Sequence, residues 1–267
     1  MSKTVLITGA SSGIGEASAK YFIDKGWNVA ATMRSPHKAR DWTMAKTVIC
    51  PYLDVTEQDS IHSAIQETVD RFGKIDALVN NAGYALMGPI EGITSAQLEK
   101  QLQTNVVGLV STIQAVLPLM RSQRSGTIVN VASIGGRLAF PLTSAYHATK
   151  WAVEGLSESL RYELQDFNIK VKIIEPGGIK TNFIHGSTVW AESAPYSELT
   201  AQVRAFSENI NDSLPGPDKV AKAIYQAACD RSHKLRYSPH GQAFLLIHAL
   251  LPDRIWRMLV TRMMLKS

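Results

Sequence analysis

The sequence predicts an α/β protein, a single domain on a doubly wound parallel sheet of about seven strands with helices on both faces. Three observations carry this. Short β-branched runs alternate with longer helical patterns through the first two thirds of the chain, a glycine-rich turn follows the first run, and no linker, repeat or low-complexity stretch divides the chain.

The runs at 5–8, 28–33, 48–53, 77–80, 127–131 and 171–174 are short, rich in Val and Ile, and bounded by Gly, Pro, Asn or Asp. They are apolar almost throughout rather than alternating, as expected of strands buried on both faces of a parallel sheet. Between them, residues 15–25, 60–72, 98–120 and 144–167 carry helical spacing. Strand and helix in alternation imply parallel neighbours joined by crossovers. A short run at 234–238 is expected to close one edge. Residues 182–216 break the rhythm, being polar with scattered Phe183, Trp190, Tyr196, Leu199 and Phe206. So long an excursion from a compact domain is expected to be a helical lid. The domain is placed at 1–240 and an apolar, basic tail at 241–267.

Composition narrows the function. Of 267 residues, 45% are hydrophobic and 19% charged, which excludes a disordered chain. Cys50 and Cys229 have no CxxC or Cys/His spacing, so no metal site or disulfide framework is expected. A net charge of +5 is too mild to argue for nucleic acid. Met1-Ser2-Lys3-Thr4 runs straight into Val5 without a longer apolar region, so no secretory signal is expected. No stretch reads as the ~18 apolar residues of a membrane span. A cytoplasmic protein is the expectation.

The first strand ends in Thr8-Gly9-Ala10-Ser11-Ser12-Gly13-Ile14-Gly15, and a helix follows. Gly9 permits the tight turn, Gly13 lets the backbone approach a pyrophosphate, and Gly15 allows close helix packing. Amides at the helix start can then hold an anion, with Ser11, Ser12 and Ile14 beside the glycines. The spacing is GxxxGxG, not the GxGxxG of the general dinucleotide fingerprint. A purely structural turn would also explain three glycines; their position after the first strand favours binding. At the end of the second strand, residues 30–36 contain no acid to grip a ribose 2′-hydroxyl, and Arg34 stands there instead. Its planar guanidinium suits a 2′-phosphate, with Ser11, Ser35 and Lys38 as further donors. NADP(H) is therefore expected over NAD(H), the alternative being that Arg34 is a solvated surface charge.

Further motifs follow in order: Asp54-Val55, Asn80-Asn81-Ala82-Gly83, Asn105, Ser133 with Tyr146-xxx-Lys150, and Pro176-Gly177-Gly178-Ile179-Lys180-Thr181. With the glycine turn, these make the sequence resemble the short-chain dehydrogenases/reductases, in their common short subgroup, from about Lys3 to Phe183. The resemblance implies a Rossmann-type fold with a substrate lid, and metal-free hydride transfer between NADP(H) and a ketone or secondary alcohol. Asn105, Ser133, Tyr146 and Lys150 would be the catalytic set. Lys150 would also bond the nicotinamide ribose, and Asn105 would hold a water of the proton relay. Asp54 and Val55 would flank the adenine, and Asn81, Ala82 and Gly83 its ribose. Pro176, Gly177, Ile179 and Thr181 would pass the nicotinamide. Thr149 departs from the family's more frequent serine before the lysine. The family also implies a homo-oligomer, dimer or tetramer, pairing through the helices at 98–120 and 144–167.

The residues give the chemistry independently. Tyr146 and Lys150 are i and i+4, on one face of a helix. A nearby ammonium is expected to lower the tyrosine pKa, letting it act as acid or base. Ser133 can hydrogen-bond an oxygen on which charge develops. His147, at i+1, points to another face and is expected to pack. Tyr84, Leu86 and Phe183, among the apolar Met87, Ile134, Leu138, Phe140, Leu142 and Trp190, suggest a hydrophobic steroid-, retinoid- or aromatic-like substrate. Reduction of small xenobiotic or sugar carbonyls stays open as an alternative, as does an NADPH-sensing protein without catalysis. The tail, apolar at 244–251 and carrying Arg254, Arg257 and Arg262 beyond, is expected to cover the pocket or pack on a partner subunit rather than lie on an acidic membrane.

Overall fold

The computed structural model describes residues 2–38, 41–181, 183–211 and 213–265. Strand β1 (Thr4–Ile7) leads through the glycine turn into α1 (Gly13–Asp24), and β2 (Asn28–Ala31), β3 (Val48–Ile49), α2 (Gln58–Phe72), β4 (Ala77–Asn80) and β5 (Ala85–Met87) follow. Helix α3 (Ser95–Leu102) continues through a π-helical turn (Gln103–Val107) into α4 (Gly108–Gln123). Then come β6 (Gly126–Val131), α5 (Ser144–Leu164) and β7 (Ile169–Ile174). The excursion contains α6 (Phe183–Gly186), β8 (Thr188–Trp190) and α7 (Ser197–Asn211). After it lie α8 (Asp218–Cys229), β9 (Arg236–Tyr237), α9 (Gln242–Leu250) and α10 (Asp253–Met264).

Seven strands form one sheet in the order β3-β2-β1-β4-β6-β7-β9, parallel at every step. Period-2 alternation explains the continuous apolar runs. In β1, Val5 and Ile7 join the core under α1 and α8, while Leu6 joins the opposite core under α4 and α5. Each such side chain, fully buried, contributes about 1.5–3 kcal/mol. The chain winds outward from β1 to β3, then returns to β4 on the other side of β1. The crevice past the strand ends at that reversal is where doubly wound sheets bind ligands. It brings the turn after β1 beside residues 81–83 after β4.

A buried polar chain sets α5 against the sheet. The Thr112 hydroxyl donates to Asn80 Oδ1 (2.6 Å), Asn80 Nδ2 to Asn130 Oδ1 (2.9 Å) and Asn130 Nδ2 to Ser157 Oγ (2.9 Å). Because each link is satisfied, rotating α5 would strand buried donors at about 1–3 kcal/mol each.

Three features differ from the sequence expectation. The edge strand expected at 48–53 pairs only at Val48–Ile49, with a single further bridge between Met33 and Tyr52. A second, two-stranded parallel sheet joins β5 to β8, tying the excursion to the segment after Gly83. The helical stretch Ser95–Gln123 is, by length and composition, apolar enough to cross a membrane, although no such stretch was expected. It is a core helix: Leu109, Ile113, Val116 and Met120 are buried against the sheet. The tail packs Leu245, Trp256, Val260 and Met264 against Ile134, Leu138 and Val203, behind the loop that follows Ser133.

Candidate active site

The glycine turn and the loop after β4 are strapped together. Thr8 Oγ1 accepts from the amides of Asn81 and Ala82, both at 3.0 Å. Asn81 Nδ2 donates to the carbonyls of Thr8 (3.0 Å) and Gly9 (3.1 Å). Gly13 takes φ +56°, a left-handed backbone that opens α1 toward the crevice. Ser12, the residue before α1, makes no side-chain cap, so the helix amides are left for an anion. Gly15 does what its spacing suggests: a Cβ there would stand 2.3 Å from the Gly9 carbonyl oxygen and 2.6 Å from Asn81 Nδ2. Gly15→Ala is expected to cost about 1–3 kcal/mol of stability by overpacking and to weaken NADPH binding together with it. Thermal unfolding and a fluorescence titration would check both; an unchanged midpoint would disprove the close packing.

One cleft of about 1110 Å³ runs from this turn to the excursion after β7. That is the scale of a dinucleotide with a small partner. Gly9, Ser11, Ser12, Gly13, Ile14, Arg34, Asp54, Val55, Asn81, Ala82, Gly83, Pro176, Gly177, Ile179 and Thr181 all line it, with Ser133, Tyr146, Lys150, Tyr84 and Phe183. Arg34 and Ser35 sit on its rim, Arg34 exposed. The side chain of Lys38 lies outside the described residues. Asp54 Oδ1 is oriented by the amide (2.9 Å) and hydroxyl (2.7 Å) of Thr56.

Three expected site residues stand behind the wall rather than on it. Gly15 is in the turn packing already described. Leu86 is 1% exposed, with its amide donating to Gln101 Oε1, so it supports the wall and does not contact a ligand in the cleft. Asn105 sits in the π-helical turn, 3% exposed. Its Nδ2 donates to the Tyr84 carbonyl (2.8 Å) and Thr149 Oγ1 (3.2 Å), and its Oδ1 accepts from the Tyr84 amide (3.1 Å). Thr149 donates in turn to the Tyr146 carbonyl (2.8 Å). Asn105 thus joins the helix carrying Tyr146 to the segment after Gly83, and the extra methyl of Thr149 is accommodated. Of the expected apolar surroundings, Ile134, Leu138, Phe140, Leu142 and Trp190 belong to the cluster under the tail. The excursion instead supplies Val189, Ser207, Ile210 and Leu214.

Ser133, Tyr146 and Lys150 converge at one end of the cleft. Tyr146 is hydrogen-bonded to the Ser133 side chain, and Ser133 Oγ accepts from the Gly135 amide at 3.0 Å. Lys150 Nζ donates to the Val131 carbonyl (2.8 Å) and lies 5.7 Å from the Tyr146 ring centroid. Burial pushes the Tyr146 hydroxyl up to about 12, with the Ser133 hydrogen bond opposing. The lowering expected from the ammonium does not prevail: stripping water from the phenolate dominates, and the influence that opposes it is the Ser133 hydrogen bond. Burial also pushes Lys150 down to about 8, opposed by the Glu154 carboxylate. His147 packs, as its position suggests: Nε2 accepts from the Phe140 amide at 3.0 Å, and burial lowers its pKa.

Glu154 escaped the sequence reading. It lies one turn beyond Lys150, and its Oε2 accepts from Arg236 Nε at 3.0 Å. Arg236 also reaches Glu175 (3.3 Å) and Glu158 (2.7 Å), while Arg137 reaches Glu175 (3.5 Å). Burial, and then the charge of Glu175, raise Glu154 to about 7 against the pull of Arg236. An anion beside Lys150 favours its charged form. Glu154→Gln is therefore expected to move the lysine limb of the pH–kcat/KM profile to lower pH, by up to about 1 unit. A limb that stays in place would show that Glu154 only braces the helix.

A doubly wound sheet with this cleft at its reversal, and a Ser–Tyr–Lys set beside it, defines a nucleotide-binding oxidoreductase. Residues 3–191 match the short chain dehydrogenase family. An oxidoreductase of Schizosaccharomyces pombe is 40% identical over 206 residues, 77% of this chain and 87% of that protein. A short-chain dehydrogenase from Streptomyces avermitilis superposes with TM-score 0.84 at 35% identity, over 98% of this chain and 96% of its own. ElxO with NADP bound superposes with TM-score 0.74 at 30% identity, over 91% of this chain and 100% of its own. The chain belongs to the short-chain dehydrogenase/reductase family.

Proposed function

We propose that the protein is an NADP(H)-dependent oxidoreductase that interconverts a ketone and a secondary alcohol on a hydrophobic substrate. The observation that carries this is the meeting of Ser133, Tyr146 and Lys150 at one end of a cleft whose other end holds the glycine turn and Arg34. The residues present suit the cofactor: an N-terminal helix turn without a side-chain cap for its pyrophosphate, and no acid at 30–36 to oppose a 2′-phosphate. The NADP-bound relative supports the same choice. Arg34, with Ser11 and Ser35, would hold the 2′-phosphate, Asp54 and Val55 the adenine, and residues 176–181 the nicotinamide end.

The nicotinamide supplies or accepts the hydride. Every other task falls to the chain. Ser133 donates to the carbonyl oxygen as negative charge gathers there. Tyr146 gives that oxygen its proton in reduction and takes it back in oxidation. Lys150 keeps positive charge beside the tyrosine, and Asn105, through Thr149 and Tyr84, holds the two walls in register. Around this end Tyr84, Phe183, Val189, Ile210 and Leu214 present mainly apolar surface, which favours a hydrophobic substrate over a phosphorylated one. Residues 182–216 would act as its lid. Steady-state rates with aromatic ketones, steroids, retinoids and sugars, each with NADPH and NADH, test the proposal. Turnover should concentrate on apolar carbonyls with NADPH. Turnover of sugars alone would overturn the substrate class, and none with any carbonyl would overturn the activity.

A further inference from the structure

The tail has a surface that the cleft does not use. Helix α9 contains no charged residue. Its Leu245 joins the apolar cluster with Ile134 and Trp256, and His248 sits edge-on to Trp256 at 5.0 Å. On its other side Phe244, Leu246, Ile247 and Leu250 are exposed, Leu250 by 74%. Helix α10 buries Trp256, Val260 and Met264. Beside that inward row, Ile255, Leu259 and Met263 form an exposed apolar row at i, i+4 and i+8. Exposed apolar side chains scattered singly are ordinary, but each of these two consecutive helices exposes several together.

Charge decides what covers it. Helix α10 adds Arg254, Arg257 and Arg262 against one acid, Asp253, which pairs with Arg257 at 2.9 Å. A second copy of the chain docked about a two-fold axis would set the same arginines against their own symmetry mates. A negatively charged surface with an apolar layer beneath it suits both features at once. We propose that α9 and α10 seat the protein on the headgroup layer of a bilayer containing anionic lipid, with Leu246, Ile247 and Leu250 entering the acyl boundary. The helices lie in the interface plane rather than crossing it. Their inner face still closes the wall behind Ser133, so the tail serves the pocket on one side and the bilayer on the other.

The full-length protein is floated with vesicles of phosphatidylcholine, with and without phosphatidylglycerol. No turnover is needed, so the result stands apart from the reaction proposed above. Binding to the anionic vesicles should exceed binding to the neutral ones by about 10-fold or more and fall with salt. The double variant Leu246→Glu with Leu250→Glu should lose flotation yet keep NADPH affinity and turnover in solution. Arg254→Gln with Arg262→Gln should narrow the difference between the two vesicle types. Failure of the unaltered protein to float, or equal flotation with both vesicles, overturns the proposal. So does sedimentation showing a dimer that the double glutamate variant turns into monomers, since a second copy would then be the occupant.

Discussion

Tyr146→Phe is expected to lower turnover by about 10³-fold while leaving NADPH affinity within about 3-fold. The substitution deletes one oxygen. The ring that stands 6.3 Å from Phe183 stays, and so do the backbone contacts through Thr149 that fix its place on α5. What goes is the hydroxyl hydrogen-bonded to Ser133, and with it the proton that the proposed reduction delivers to the carbonyl oxygen. Ser133 can still donate to that oxygen, but a serine hydroxyl gives up its proton far less readily, so some charge stabilisation survives without proton transfer. The high tyrosine pKa, about 12, adds a direction. At neutral pH the group is protonated, the form that reduction consumes, so reduction should be nearly flat through neutrality. Alcohol oxidation needs the conjugate base and should rise with pH. Steady-state kcat in both directions, with a fluorescence titration of NADPH, checks the set. Full activity of the phenylalanine variant would remove Tyr146 from the mechanism.

The parts of this molecule that could be read from sequence are those whose signal is local. The central strands are buried on both faces, so their residues are apolar in unbroken runs, and β1, β4, β6 and β7 lie within a few residues of where those runs place them. Tyr146 and Lys150 share a face because helical spacing says so. The strands β5 and β8 were not legible: three residues make too short a run, and the ladder between Leu86 and Val189 joins segments far apart in the chain. Asn105 looks like a flaw in a helix; a π-helical turn gives it room, with Tyr84 and Thr149 as partners, and neither the turn nor the partners show in residues 103–107 alone. Glu154 was missed for the same reason, since its chemistry depends on Glu175 and Arg236, which β7 and β9 bring to it. The sign of the Tyr146 shift was misjudged because spacing reveals the neighbouring charge but not the loss of water.

Arg34→Asp should lower kcat/KM with NADPH by about 10²-fold or more and raise NADH relative to it. The position is set by the fold: Arg34 comes directly after the parallel bridge between Met33 and Tyr52, on the rim of the cleft and beside Ser35. In a dinucleotide site this is where the adenosine ribose is recognised. A guanidinium meeting a phosphate forms charge-assisted bonds worth about 1.5–3 kcal/mol, roughly 10- to 100-fold. Aspartate removes that attraction and places an anion against an anion, so the loss exceeds simple deletion. With NADH the sign reverses, because a carboxylate accepts well from a free 2′-hydroxyl. Arg34→Ala separates the two effects: it should weaken NADPH alone, leaving NADH where it was. The exposure of Arg34 gives the test its edge, since a solvated guanidinium contributes to affinity only if the phosphate meets it. If the unaltered protein already turns over faster with NADH, or if both variants leave the cofactor ratio unchanged, Arg34 is a surface charge and takes no part in recognising a 2′-phosphate.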